Sequence, residues 1–217
     1  MLKSAPMRSV CLLIVADDYG YSGRCNDGIL EAARAGAIDA ASAMVSRPAC
    51  IAEPLLATGI GVGLHIERRP GEELERFQAI FGRDPSHLDG HHHCHAGGSL
   101  EAEANEVALQ LGIRVRAVDE PHRRRLLGAG VTCAERLIGR IEEGEPVLPR
   151  EIASMDEGLG RAGGGERGGL GPGLTEWMVH PGYPDPQLGS SYDAAREEDL
   201  AELLRLAAAG SLAGVRA

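Results

Sequence analysis

The sequence predicts one α/β domain, folded as a parallel sheet or a β/α barrel. Its 217 residues suit one core far better than two separate domains. Short apolar runs alternate with segments of helical period along most of the chain. Aspartates and histidines recur just beyond those runs, and in parallel β/α folds such strand ends share one face.

Val10 to Ala16 is an apolar run of strand length and reads as a buried first strand. Asn26 to Ala35 carries Ile29, Leu30 and Ala33 at helical spacing, with Gly36 as the stop. A second strand is expected over Ala37 to Val45, a short helix over Ile51 to Thr58, and a third strand over Ile60 to Ile66, ending at His65. Glu72 to Phe81 stacks Leu74, Phe77 and Phe81 on one helical face, and Asp84-Pro85 breaks it. Ser86 to Asp89 then feeds as a brief strand into His91-His92-His93-Cys94-His95.

The next helix is expected to be capped by Ser99 and to bury Ala104, Val107, Ala108 and Leu111. Ile113 to Val118 has the β-branched character of a strand, and Thr132 with Glu135 has capping-box spacing that predicts another helix. Residues 158–173 are dense in glycine, which makes regular structure entropically costly, so they read as a flexible surface loop within the single domain 1–217. Leu174 to Val179 is a strand ending at His180, and a closing helix over Ala194 to Ala209 bears Leu200, Leu203 and Leu204 on one side.

Composition narrows the function. A net charge of −10 argues against a protein that grips phosphate backbones, and Arg123-Arg124-Arg125 reads as a solvated loop. Five cysteines without a Cys-x-x-Cys pair fit a reducing cytoplasm. The apolar run after Lys3 and Arg8 is short for a secretory signal and lacks a small-x-small site, and no segment approaches the length of a membrane span.

Asp17-Asp18, His65, the 91–95 cluster and His180 each follow an apolar strand. Singly they have bland explanations: an Asp pair caps turns, a lone histidine satisfies a half-buried site, and a histidine run captures ions nonspecifically. Together they suit one purpose. A carboxylate with two neutral imidazoles is a normal shell for a catalytic divalent ion, a second carboxylate can take a proton from water, and a further histidine can protonate a departing nitrogen. Those parts perform amide hydrolysis.

The sequence also resembles the YdjC-like carbohydrate deacetylases. The matching stretches are ADDYG at 16–20, NDGILEA at 26–32, AMVSRPA at 43–49, GVGLH at 61–65, HLDGHHHCH at 87–95 and VHPGYPD at 179–185. The resemblance implies a distorted, TIM-like β/α barrel of the polysaccharide-deacetylase type, often paired into homodimers. It implies Asp17 as catalytic base, Asp18, His65 and His91 as ligands of one divalent metal ion, and His180 as general acid, with His93 or His95 as alternatives for that last role. Zinc or magnesium heads the candidate ions, and manganese, cobalt or nickel suit the same donors. The substrate implied is a small N-acetylated saccharide.

Tyr19, Tyr183 and Trp177 fall beside the expected site; sugar stacking or packing suits the tyrosines, and packing suits Trp177. Arg116 is expected to anchor a catalytic carboxylate or the substrate, or equally to form an exposed salt bridge, and His93 to line the substrate site. The sequence departs from the family pattern in a short Arg- and Glu-rich link between His65 and Phe77 and in the Gly-rich segment, both of which bear on substrate enclosure. Two other readings compete: an amidohydrolase-like or phosphoesterase metal enzyme, and a non-catalytic protein whose 91–95 run captures ions.

Overall fold

The computed structural model describes residues 10–139, 173–190 and 192–212. Its elements run β1 (Val10–Tyr19), α1 (Gly23–Arg34), β2 (Ala40–Ala43), α2 (Ala52–Leu56), β3 (Gly61–Ile66), α3 (Pro70–Phe81), β4 (His87–Gly90), a 3-10 segment (His91–Ala96), α4 (Gly98–Leu111), β5 (Arg114–Val115), α5 (Glu120–Gly128), β6 (Arg136–Ile138), β7 (Gly173–Val179) and α6 (Asp193–Ala208). Seven parallel strands form one sheet in the order β5-β4-β3-β2-β1-β7-β6. The edge strands β5 and β6 are not paired to each other, yet the Val115 N–H donates to the Thr132 carbonyl at 3.0 Å across that seam. The architecture is a β/α barrel distorted from the regular eightfold form.

Because helices cover a parallel sheet, its strands carry apolar side chains in unbroken runs. Leu12, Ile14, Val15 and Ala16 of β1 are all buried, as are Val62, Leu64 and Ile66 of β3. Leu74, Phe77 and Phe81 of α3 join this core, with the two phenylalanine rings stacked at 4.5 Å, and Trp177 is packed inside β7. Ser22 caps α1 by accepting from the Cys25 N–H at 3.2 Å. Among the described residues no helix is long and apolar enough to cross a membrane.

Several sequence expectations fail. Thr132 and Glu135 do not open a helix: Thr132 bonds to β5, the Glu135 N–H donates to the Leu174 carbonyl at 2.9 Å, and the chain continues as β6 beside β7. Sheet hydrogen bonds outcompete the local capping box. Ser99 is not a cap either, since α4 begins at Gly98 after an extended Gly97 with no side-chain cap. Arg123-Arg124-Arg125 is the middle of α5, which Asp119 caps through the His122 N–H at 2.7 Å. Only His122 and Leu126 of that helix are buried, so its sequence has almost no apolar stripe to read. The strand expected over 113–118 is confined to Arg114–Val115, and most of the Gly-rich segment lies outside the described residues.

Two glycines mark backbone approaches that fix the sheet's upper end. A Cβ on Gly28 of α1 would stand 2.4 Å from the Gly182 Cα, so α1 lies directly against the loop after β7. A Cβ on Gly63 of β3 would strike the His87 ring at 2.3 Å. That ring sits in the sheet between two hydroxyls, 3.0 Å from Ser42 Oγ through Nε2 and 2.9 Å from Ser86 Oγ through Nδ1.

Burial pushes the His87 imidazole down to about 3, so the folded protein holds it neutral while the unfolded chain protonates near 6.5. A depressed folded-state pKa contributes stability above the unfolded value that is lost as pH falls toward the folded one. His87→Gln is therefore expected to flatten the decline of unfolding free energy between pH 6.5 and 4 by about 1.4 kcal/mol per pH unit. Urea melts across that range check it; parallel slopes for the two proteins would show that His87 is not held neutral.

Candidate active site

Neighbouring residues of a regular strand point to opposite faces, so Asp17 and Asp18 could not both serve one cleft from an ideal β1. The strand solves this with an irregularity. Its pairing with β2 slips between Ala16 and Tyr19, and Asp18 adopts a left-handed backbone at φ 71°. Aspartate tolerates that region better than most residues. Asn26 of α1 then holds the turn, accepting from the Gly20 N–H at 2.6 Å and donating to the Ala49 carbonyl at 2.8 Å.

Above this turn three donor atoms from three strand ends converge. Asp18 Oδ1 lies 3.4 Å from His65 Nε2 and 3.1 Å from His91 Nδ1, and the ligand atoms of the set all fall within 4.8 Å of one another. His65 is oriented from behind, its Nδ1 being 2.7 Å from Asp89 Oδ1. That carboxylate fixes which ring nitrogen faces the cleft, the usual support of a ligating imidazole. Asp18 is held well below the usual carboxylate range: burial opposes this, and hydrogen bonds with His65 and His91 outweigh it. One carboxylate oxygen and two imidazole nitrogens fit zinc, manganese, cobalt or nickel, and magnesium with water completing its shell. Asp17, His65 and Asp89 form a second close set, but Arg116 bonds to both of its carboxylates and leaves a cation no place there.

Arg116 is the buried centre of the site. Its NH1 and NH2 donate to Asp17 Oδ2 and Oδ1 at 2.6 and 2.7 Å, its NH2 reaches Asp89 Oδ2 at 2.8 Å, and its Nε reaches Glu176 Oε1 at 2.5 Å. Ser42 Oγ adds a 2.6 Å hydrogen bond to Asp89. Burial lifts the Glu176 carboxyl above its ordinary value against the pull of Arg116. For Asp89 the balance reverses: burial pushes it up, and Arg116 and His65 together hold it well below.

His180 faces Asp17 from the end of β7, with Nε2 3.9 Å from Asp17 Oδ2. Its backbone N–H donates to Asp199 Oδ2 of α6 at 2.9 Å, and its ring stacks at 4.5 Å on Tyr192, the residue just before α6, so backbone and imidazole are each held from that end of the chain. Burial lowers its pKa, partly offset by Asp18 and Asp17. A cleft of ≈ 400 Å³ opens over these groups, lined among others by Asp17, Asp18, His65, His91, His93 and His180. Met178, Tyr21 and Tyr192 give it apolar walls.

The other residues singled out from sequence sit elsewhere. Tyr19 does not line the cleft: it is buried in the core and its hydroxyl donates to the Ile51 carbonyl at 2.7 Å. Tyr183 also lies off the cleft, with its hydroxyl on Glu31. Arg116 is buried beneath the site and grips Asp17. His95 is buried against β5, donating from Nε2 to the Arg116 carbonyl at 2.9 Å, and burial takes its pKa down to about 3. His93 does line the cleft, and burial lowers it to about 4.

Sequence reasoning missed Asp89, Glu176, Ser42, Tyr21, Tyr192 and Arg196. Glu176 had a signal, a lone charge inside the apolar run Leu174 to Val179. Asp89, two residues before His91, had another. Tyr21, Tyr192 and Arg196 had none, because strand and helix geometry alone decides where they point.

The sequence profile of the family described as YdjC-like protein matches residues 11–68 and 73–213. The carbohydrate deacetylase of Geobacillus stearothermophilus is 28% identical over 232 aligned residues, covering 88% of this chain and 88% of that one. The chitooligosaccharide deacetylase of Serratia marcescens is 26% identical over 220, covering 80% and 82%. Among solved structures, an Enterococcus faecalis V583 protein provisionally described as a cellobiose-phosphate cleavage protein superposes with a TM-score of 0.69 over 94% of each chain at 19% identity, a likeness of fold.

Removing Arg116 leaves buried carboxylates without their counter-charge, so Arg116→Met is expected to cost about 3–5 kcal/mol of folding stability. Arg116→Lys cannot reproduce the planar fork and should recover only part of it. Urea unfolding of the three proteins measures both, and a Met variant as stable as wild type would contradict this role.

Proposed function

Because this chain belongs to the YdjC-like protein family, we propose that it is a metal-dependent carbohydrate N-deacetylase, hydrolysing the N-acetyl group of a small amino sugar or oligosaccharide. The observation that carries the reading is the meeting of Asp17 and His180 beside the donor set Asp18, His65 and His91 on one cleft floor. The five free cysteines and the absence of a spanning helix among the described residues accord with work in the cytoplasm, and the family resemblance extends the reading to a homodimer.

Asp18, His65 and His91 would hold one divalent ion, which when bound would polarise the acetyl carbonyl and make water easier to deprotonate. Asp17 takes the proton of the attacking water. Both of its oxygens are bonded to Arg116, which aims the carboxylate while leaving each oxygen a further lone pair. Water oxygen joins the acetyl carbon, the carbon–nitrogen bond breaks, and the nitrogen leaves with a proton, giving acetate and a free amine. His180 supplies that proton. Burial disfavours its charged form, and Asp17 at 3.9 Å is the adjacent group from which the proton passes to it. Tyr21 and Tyr192 offer the flat apolar faces on which a sugar ring stacks, in place of Tyr19 and Tyr183.

The histidine run does not behave as an ion trap in this reading. Of 91–95, only His91 joins the carboxylate set, while His95 is spent on a backbone carbonyl.

Asp17→Asn removes the base without removing a ligand. It is expected to keep one bound ion and to lose about 10²–10⁴-fold in turnover. Acetate release from N-acetylated mono-, di- and trisaccharides, with ion content measured on the same samples, tests this. Wild-type activity in the variant would refute the base assignment, and hydrolysis confined to phosphate esters would refute the reaction.

A further inference from the structure

The carboxylate of Asp18 has two oxygens, and only one of them faces the two imidazoles. Oδ1 lies beside His65 Nε2 and His91 Nδ1, whereas Oδ2 accepts from the NH2 of Arg196 at 2.6 Å, a residue 178 positions away on α6. Both partners are buried, with side chains 1% and 2% exposed, so water does not compete for this contact. The residue is held in place from several directions. Its CZ lies 5.6 Å from the centroid of Tyr21, a wall of the cleft, and the Arg196 carbonyl accepts from the Gly182 N–H at 3.1 Å. A Cβ on Gly182 would meet Arg196 Cδ at 3.2 Å, so the loop after β7 closes over the side chain. Among the described residues Nε and NH1 of Arg196 have no hydrogen-bond partner, and the contact with Asp18 is the one hydrogen bond the guanidinium makes there.

We propose that Arg196 sets the denticity of Asp18: by occupying Oδ2 it restricts the ligand to one oxygen, and so biases the site toward small ions that accept few protein donors. This rests on Asp18 being an ion ligand, as in the function proposed above. A carboxylate can bind a metal through one oxygen or two, and bidentate binding raises the coordination number and suits larger, oxygen-preferring ions. Arg196 also offsets the charge of Asp18 locally, so the protein shell neutralises little of the ion's charge and more of it acts on the substrate carbonyl. Arg196 is thus a positioning residue that acts through Asp18.

The most direct test is a crystal structure of the wild-type protein loaded with zinc. The expected result is Asp18 bound through Oδ1 alone, with Arg196 still on Oδ2; both oxygens on the metal, with Arg196 displaced, would overturn the proposal. In solution, cobalt(II) absorption reads coordination number without reference to activity, since its d–d bands weaken as ligands are added. Arg196→Met is expected to weaken those bands and to narrow the zinc-over-manganese affinity ratio by about tenfold or more, the usual scale for losing an outer-shell partner. Arg196→Lys, which can still occupy Oδ2, is expected to restore the wild-type spectrum. An unchanged spectrum and ratio in the Met variant would overturn the role. Failure of the wild type to bind any stoichiometric divalent ion would instead overturn the function on which it rests.

Discussion

One buried guanidinium makes the rest of the site possible. Three carboxylates, those of Asp17, Asp89 and Glu176, stand around Arg116 in the middle of the sheet, and each would be costly there without a counter-charge. The charge of Arg116 alone does not balance three negative ones. Burial lifts Glu176 toward its neutral form, while Asp89 stays ionised, held by Arg116 and His65. Through its own bonds the arginine aims Asp17, the proposed base, and through Asp89 it aims His65. Folding and chemistry therefore share one residue.

The cleft is built in two layers. The groups that would hold an ion or move a proton come from strand ends, as parallel β/α architecture requires. Behind them stand residues that fix direction: Asp89 behind His65, Arg116 behind Asp17, Arg196 behind Asp18, and Asp199 with Tyr192 behind His180. Such support holds reacting atoms in place more rigidly than the front layer could alone. Two of these four supports, for Asp18 and His180, come from α6 and the residue before it, so the last helix seats half of the site.

Much of this was legible in the sequence. The alternation of apolar runs and helical periods gave the strands and helices that flank the site, and the Asp and His residues just past those runs are the ones that converge. What escaped was written in three dimensions. The slip in β1 that turns Asp17 and Asp18 into one cleft depends on a left-handed Asp18, which no local pattern announces. It also decides between two tyrosines: Tyr19 is still in the strand and enters the core, while Tyr21 lies past the turn and faces the cleft. α5 was hidden because its face is almost wholly charged, and β6 because the capping-box spacing at 132–135 mimics a helix start. Arg196 could not be found at all from sequence, since its partner is 178 residues away.

The central claim is that Asp18, His65 and His91 form one ion site. Metal content after exhaustive dialysis, measured on wild type, Asp18→Asn and His65→Gln, tests it most directly. The account predicts one tightly held divalent ion per wild-type chain and its loss from both variants while the fold persists. Variants that retain the ion at wild-type stoichiometry and affinity would contradict it.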